Sequence, residues 1–167
     1  MKSDEIDAMV PRWTQAGLSS SLIATLELSK RVARLDQLFE QAVKAELAEL
    51  GLTYAEFDVL AALSRSAPPR MKPSELSKGL MLTSGGISNV LQRLTAAGYV
   101  EREANAGDAR SRWVRLTEEG RRVAAAALEA SSRAHQAVAA GVPEEALRRA
   151  ADALREVLAP LGRRRLR

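Results

Sequence analysis

Cysteine is absent from the 167 residues, and histidine occurs once, at His135. Without thiols the chain has no disulfide framework, no thiolate nucleophile and no direct thiol-oxidation trigger. A single imidazole with no sulfur ligands makes neither a zinc site of the usual ligand sets nor a Ser/His/Asp triad. The Gly85–Gly86 pair is too short for a phosphate-cradling loop and lacks its lysine. No run of about 18 apolar residues offers a membrane span. The opening MKSDEIDAMVPRW has neither the basic nor the apolar region of a secretory leader. These absences argue against an enzyme, a cofactor, a metal site and a membrane partner, and point to a cytoplasmic protein.

What is present is a folding composition, 46% hydrophobic and 28% charged, with a formal net charge of +4. That mild excess of cations is compatible with an anionic partner without requiring one.

The informative stretch is Pro73 to Leu116. From Thr83, the residues Ile87, Val90, Leu91 and Leu94 recur at helical spacing and mark one buried stripe. The opposite face is small and polar, with Ser84, Gly85, Gly86, Ser88, Asn89, Gln92 and Arg93. Such a face is either solvated or slim enough to enter a major groove, where Asn and Gln pair with adenine edges and Arg with guanine edges. Upstream, KPSELSKGLML reads as a short helix opening at Pro73 with Leu76 and Leu80 turned inward. Thr83 is placed to cap the second helix, and Gly98 to end it. Two short helices across a tight turn form a helix-turn-helix pattern. YVERE and RWVRL then read as strands around the turn ANAGDARS, with Asp108, Arg110 and Arg112 near the tip of a hairpin. Helix-turn-helix plus basic hairpin is a winged helix, whose arginine can reach a narrow minor groove.

Elsewhere the spacing predicts helices. One is short, over 3–16, with Pro11 counting against its continuity, and one is long, over about 20–50, with Leu22, Leu28, Val32, Leu35, Leu38, Phe39 and Val43 on its apolar side. TYAEFDVLAAL opens on a Thr53/Glu56 capping box and buries Phe57, Leu60 and Leu63. A helix from Thr117 to about Ala140 and another from Pro143 follow, then the basic tail RRRLR, solvated or in contact with DNA. The fold class expected is mainly α: a winged helix-turn-helix over 51–116, flanked by dimerisation helices over 1–50 and 117–167. A winged helix of roughly 60 residues cannot cover all the outer apolar stripes. Either a two-fold partner covers them, or they fold back as a bundle within one chain.

The order of elements, with LTYAEFDVLAAL, SELSKGLMLTSGGISNVLQRLTAAGYVER and DARSRWVRLTEEG, resembles the MarR family of bacterial winged-helix transcription regulators. Asp108, Arg110, Val114, Leu116 and Thr117 match the family's D-x-R-x-x-x-V-x-L-T wing pattern. The resemblance implies a homodimer binding a pseudo-palindromic double-stranded DNA operator, usually as a repressor and often released by a small anionic or aromatic effector. Residue by residue, it agrees with Ser84, Ser88, Asn89, Gln92 and Arg93 as major-groove contacts, Thr83 as a phosphate contact and Arg110 as the minor-groove contact. Arg112 is a further DNA candidate or a solvated strand position. The N-terminal segment is also similar to the family's urate-responsive branch, which implies ligand contacts at Trp13, Asp58 and Arg102. Val90 stands where that branch has an arginine, which leaves urate in doubt. Otherwise Trp13 is an apolar anchor and Asp58 with Arg102 a plain ion pair. Two other readings are a winged-helix protein-interaction module and a DNA-binding protein that responds to no ligand.

Overall fold

The computed structural model describes residues 3–80, 82–105 and 108–161, without the side chains of Ser84, Ala104, Asn105 and residues 108–112. Its elements in chain order are α1 (Val10–Gln15), α2 (Ser20–Ala48), α3 (Tyr54–Arg65), α4 (Pro73–Gly79), α5 (Ser84–Ala96), β1 (Val100–Asn105), β2 (Asp108–Leu116), α6 (Glu118–Val138) and α7 (Glu144–Leu161). The fold is mainly helical with one small antiparallel sheet. Among the described residues no helix is long and apolar enough to cross a membrane.

Local chemistry sets most of the boundaries. Ser19, Thr53, Thr83 and Thr117 each sit in extended backbone and accept a main-chain N–H from the first turn that follows. Each thereby satisfies a donor that the helix itself leaves free. Thr53 and Glu56 form the expected reciprocal capping box. Gly51, Gly98 and Gly141, all at positive φ, follow α2, α5 and α6 and turn the chain where an L side chain would be strained.

Two elements differ from their sequence-based expectations. The first helix is confined to Val10–Gln15, because Asp4 Oδ1 takes the N–H groups of both Ile6 and Asp7 in a turn. Pro11, with no N–H to give, sits in the first helical turn instead of breaking a longer helix. The wing is longer than expected. Much of ANAGDARS lies in β2, which pairs antiparallel with β1 from Val100↔Leu116 to Asn105↔Asp108, with a register irregularity between Ala104 and Asn105. A separate bridge joins the sheet on its other side: the N–H and C=O of Met71, just before α4, both bond with Val114 at 2.9 Å.

The core lies in the winged helix and where it meets α2 and α6. Leu47, Leu60, Leu63, Leu76, Leu91, Leu94 and Val114 are fully buried, each such leucine contributing about 1.5–3 kcal/mol relative to exposure. Ala124, Ala127 and Ala134 bury the small face of α6, which packs along α2 and α3. The outer helices are a different matter. Leu22, Leu28, Val32, Leu35 and Leu38 of α2 remain exposed, and α7 buries no residue while showing Leu147, Val157, Leu158 and Leu161. Among the described residues, these apolar stripes are only partly covered.

Candidate nucleic-acid interface

α5 is held by its apolar side and presents its polar one. Ile87, Leu91 and Leu94 are buried, while Ser88, Asn89, Gln92 and Arg93 are exposed. The turn before it is fastened at both ends, since Leu82 donates its N–H to the Ser77 carbonyl and the Ser77 hydroxyl donates back to the Leu82 carbonyl at 2.6 Å. Thr83 Oγ1 then accepts from Gly86 N–H at 3.1 Å. A hydroxyl that accepts in this way still has its own proton to donate. The glycines keep the leading end slim: a β-carbon on Gly85 would meet nothing within 4 Å, and one on Gly86 would press on Thr83 Oγ1 at 3.1 Å.

Arg93 is not simply solvated. Its Nε forms an ion pair with Oε1 of Glu56 at 3.0 Å, while the rest of the Arg93 side chain stays largely exposed. Glu56 belongs to α3, and its side chain is only 6% exposed. Oε2 of the same carboxylate accepts both the N–H and the hydroxyl of Thr53, each at 2.7 Å. The capping box was legible in the sequence, but its cross-helix partner was not.

The base of the wing is anchored by charge and by an aromatic ring. The Arg70 guanidinium carbon lies 4.9 Å, and the Lys72 ammonium nitrogen 5.1 Å, from the centroid of Trp113, within cation–π range. Arg115 pairs with Glu101, its cross-strand partner, at 2.8 Å. Sequence reasoning missed Arg70 and Lys72, which carry no local signal linking them to a tryptophan some 40 residues on. The Asp108, Arg110, Arg112 and Ser84 side chains and the arginine tail lie outside the described residues.

The three ligand candidates are not brought together by any hydrogen bond or ion pair among the described residues. Trp13 is half-buried on α1, and Arg102 is exposed on β1. Asp58 is half-buried on α3, where burial pushes its carboxyl above the usual range and Arg65 pulls it partly back. A cavity of about 370 Å³ lies elsewhere, between the end of α3, the end of β2 and α6. It is lined by Leu63, Pro69, Leu116, Ala125 and Leu128, with Ser64 and the two cations Arg115 and Arg121. Arg121 Nη1 also donates to the Leu116 carbonyl at 3.2 Å.

The MarR family model matches residues 50–111, the stretch from the turn before α3 into the wing. The lobe is thus similar to the winged helices of that family. Over 90 residues the chain is 34% identical to the HTH-type transcriptional regulator PecS of Dickeya dadantii, covering 53% of this chain and 54% of that protein. Over 95 residues it is 32% identical to the multiple antibiotic resistance protein MarR of Escherichia coli, covering 57% and 65%. The chain thus spans between about half and two thirds of the curated relatives it matches. The crystal structure of a cysteine-to-serine mutant of E. coli MarR complexed with operator DNA superposes with a TM-score of 0.72, at 25% identity, over 84% of this chain and 99% of that one. The MarR-family likeness in three dimensions therefore takes in the flanking helices as well as the lobe.

Proposed function

We propose that the chain is a dimeric, sequence-specific DNA-binding transcription regulator, acting as a repressor that a small anionic or aromatic ligand releases. The observation that carries this reading is the polar, exposed face of α5. Asn89 and Gln92 stand on a capped, slim helix whose other side is locked into a MarR-family lobe, and both offer the paired donors and acceptors that adenine edges require. The relative co-crystallised with operator DNA supports it. Thr83 with its donor proton and Arg110 on the wing are the phosphate and minor-groove candidates. Ser84, Ser88 and Arg112 are further contacts of the same surface.

The partly covered apolar stripes of α2 and α7 support a second copy as the partner. Two-fold pairing would bury them and set two recognition helices about 34 Å apart for successive major grooves. For the ligand, the cavity beside α6 is better suited than Trp13, Asp58 and Arg102, because it combines apolar walls with two guanidinium groups at the junction of wing and α6. Benzoate is a suitable probe. It should raise the melting temperature of the wild type and not of Ala125→Phe, which fills the cavity, whereas an equal shift in both would put the ligand elsewhere.

The deciding experiment is a fluorescence-anisotropy titration of the protein against duplex from upstream of its own gene, with scrambled duplex as control, at two salt concentrations. Preference of at least about a thousandfold, falling steeply with salt, is expected of a regulator. If a genome-wide binding selection also recovers no preferred duplex, the lobe serves a protein partner instead.

A further inference from the structure

We infer that Arg93 is a positioning residue for the recognition helix: gripped by the buried carboxylate of Glu56, it sets how α5 is rolled on α3 and so where Asn89 and Gln92 face DNA. The inference rests on the regulator reading above and deepens it.

A capping box needs only one oxygen of its glutamate, to accept the N-cap N–H. Here the box uses Oε2 alone, which takes both donors of Thr53. Oε1 is turned across to another helix, where Arg93 Nε meets it at 3.0 Å. With the carboxylate 6% exposed, the two Thr53 donors and the Arg93 cation stand in for the water the charge has lost. The pair therefore ties the first turn of α3 to the last turn of α5.

The leading end of α5 is held through the Ser77–Leu82 hydrogen bonds, but along its body the attachment is apolar, through Ile87, Leu91 and Leu94. Apolar burial is non-directional, and it resists separation more than it resists rotation about the helix axis. An ion pair that joins the first turn of α3 to the last turn of α5 acts off the helix axis, so a roll of α5 would lengthen it and is opposed. The side chains of a helix reach about 5–6 Å from its axis, so a roll of about 10° moves their tips by about 1 Å. Recognition geometry tolerates about 0.5 Å. Asn89 is one helical turn before Arg93, and Gln92 is its neighbour, so both follow any roll at that point.

A direct phosphate contact by Arg93 makes a different prediction, because each neutralised phosphate adds about one unit to the salt slope whatever the sequence of the duplex. Operator and scrambled duplex are therefore titrated over a range of salt with wild type, Arg93→Gln, Glu56→Gln and the double variant, each first checked for an intact thermal transition. Positioning predicts that both single variants weaken operator binding by a similar factor, about tenfold. Scrambled binding and the salt slope stay unchanged, and the double variant is no worse than the weaker single. Arg93→Met, which keeps the aliphatic stem but loses the charge that pairs with Glu56, should also lose selectivity, and it serves should Glu56→Gln fail to fold. The inference is overturned if Arg93→Gln weakens both duplexes and lowers the slope by about one while Glu56→Gln is neutral, or if Arg93→Met binds as wild type does. A wild type with no preferred duplex would overturn the regulator reading, and this inference with it.

Discussion

Gly120 faces the carbonyl of Tyr99 so closely that a β-carbon on it would stand 1.8 Å from the carbonyl oxygen. The same carbonyl accepts the Thr117 N–H at 3.0 Å, and the Thr117 hydroxyl donates to the Gly98 carbonyl at 2.7 Å. The first turn of α6 is thus pressed against the residue that ends the α5 turn, main chain on main chain. Gly120→Ala must push α6 away, and overpacking of this kind costs on the order of 1–3 kcal/mol. Thermal unfolding should show a clear fall in melting temperature. Gly85→Ala, whose β-carbon meets nothing, is the control and should leave stability level or slightly raised. Equal melting temperatures for the two variants would contradict the close approach.

On an operator, Asn89→Ala and Gln92→Ala should each cost roughly 1–3 kcal/mol and relax preference at the base they read. Arg110→Ala should weaken every duplex alike and lower the salt slope by about one. Anisotropy against single-base operator variants distinguishes the two kinds of loss. If Asn89→Ala lowers affinity uniformly across sequences, it is not a base reader.

Asp58 gives a pH signature. Burial raises its carboxyl above the ordinary value of 3.8, with Arg65 opposing. From that value up through the raised one, the folded state holds more protons than the unfolded, so stability falls as pH rises across this window. Above it the full penalty persists. Asp58→Asn removes the penalty, so the variant should melt higher than wild type at neutral pH, and the gap should close below about pH 3.8. A gap independent of pH would assign the effect to packing and not to charge.

The exposed stripes of α2 and α7 predict self-association. Leu35→Glu and Leu158→Glu place a charge in the middle of each apolar face, where an unpaired buried carboxylate is strongly unfavourable. Sedimentation velocity should show the wild type at twice the chain mass and the variants shifted to monomer, with lower melting temperatures. Variants that sediment as the wild type does would leave those faces without a partner role.

The parts legible in the sequence are those whose cause is local. Thr53 with Glu56, Thr83 with Gly86 and Thr117 with Gly120 are side-chain-to-backbone bonds over three residues, so the spacing alone announces them. The core stripe of α5 is legible for the same reason. The Glu56–Arg93 pair, the Met71–Val114 bridge and the cavity between α3 and α6 join residues far apart in the chain, and no periodicity encodes them. The extension of β2 is not legible because ANAGDARS lacks apolar alternation, whereas its backbone pairing is imposed by β1. Periodicity marks an apolar face as one that must be covered but does not say by what. Val43 is covered by its own chain and Leu35 only in part.

The bridge between Met71 and Val114 has a mechanical consequence. It is reinforced where Arg70 and Lys72 stand over Trp113, so the root of the hairpin is stitched to the segment that leads directly into α4. A swing of the wing against the helix pair would have to break the two main-chain hydrogen bonds of that bridge. In the proposed DNA-binding mode, such a unit would set a fixed offset between the groove entered by α5 and the groove reached by the hairpin. One inserted base pair displaces those grooves by about 3.4 Å and rotates them by roughly 35°, a change that the duplex, and not the protein, would have to absorb by twisting.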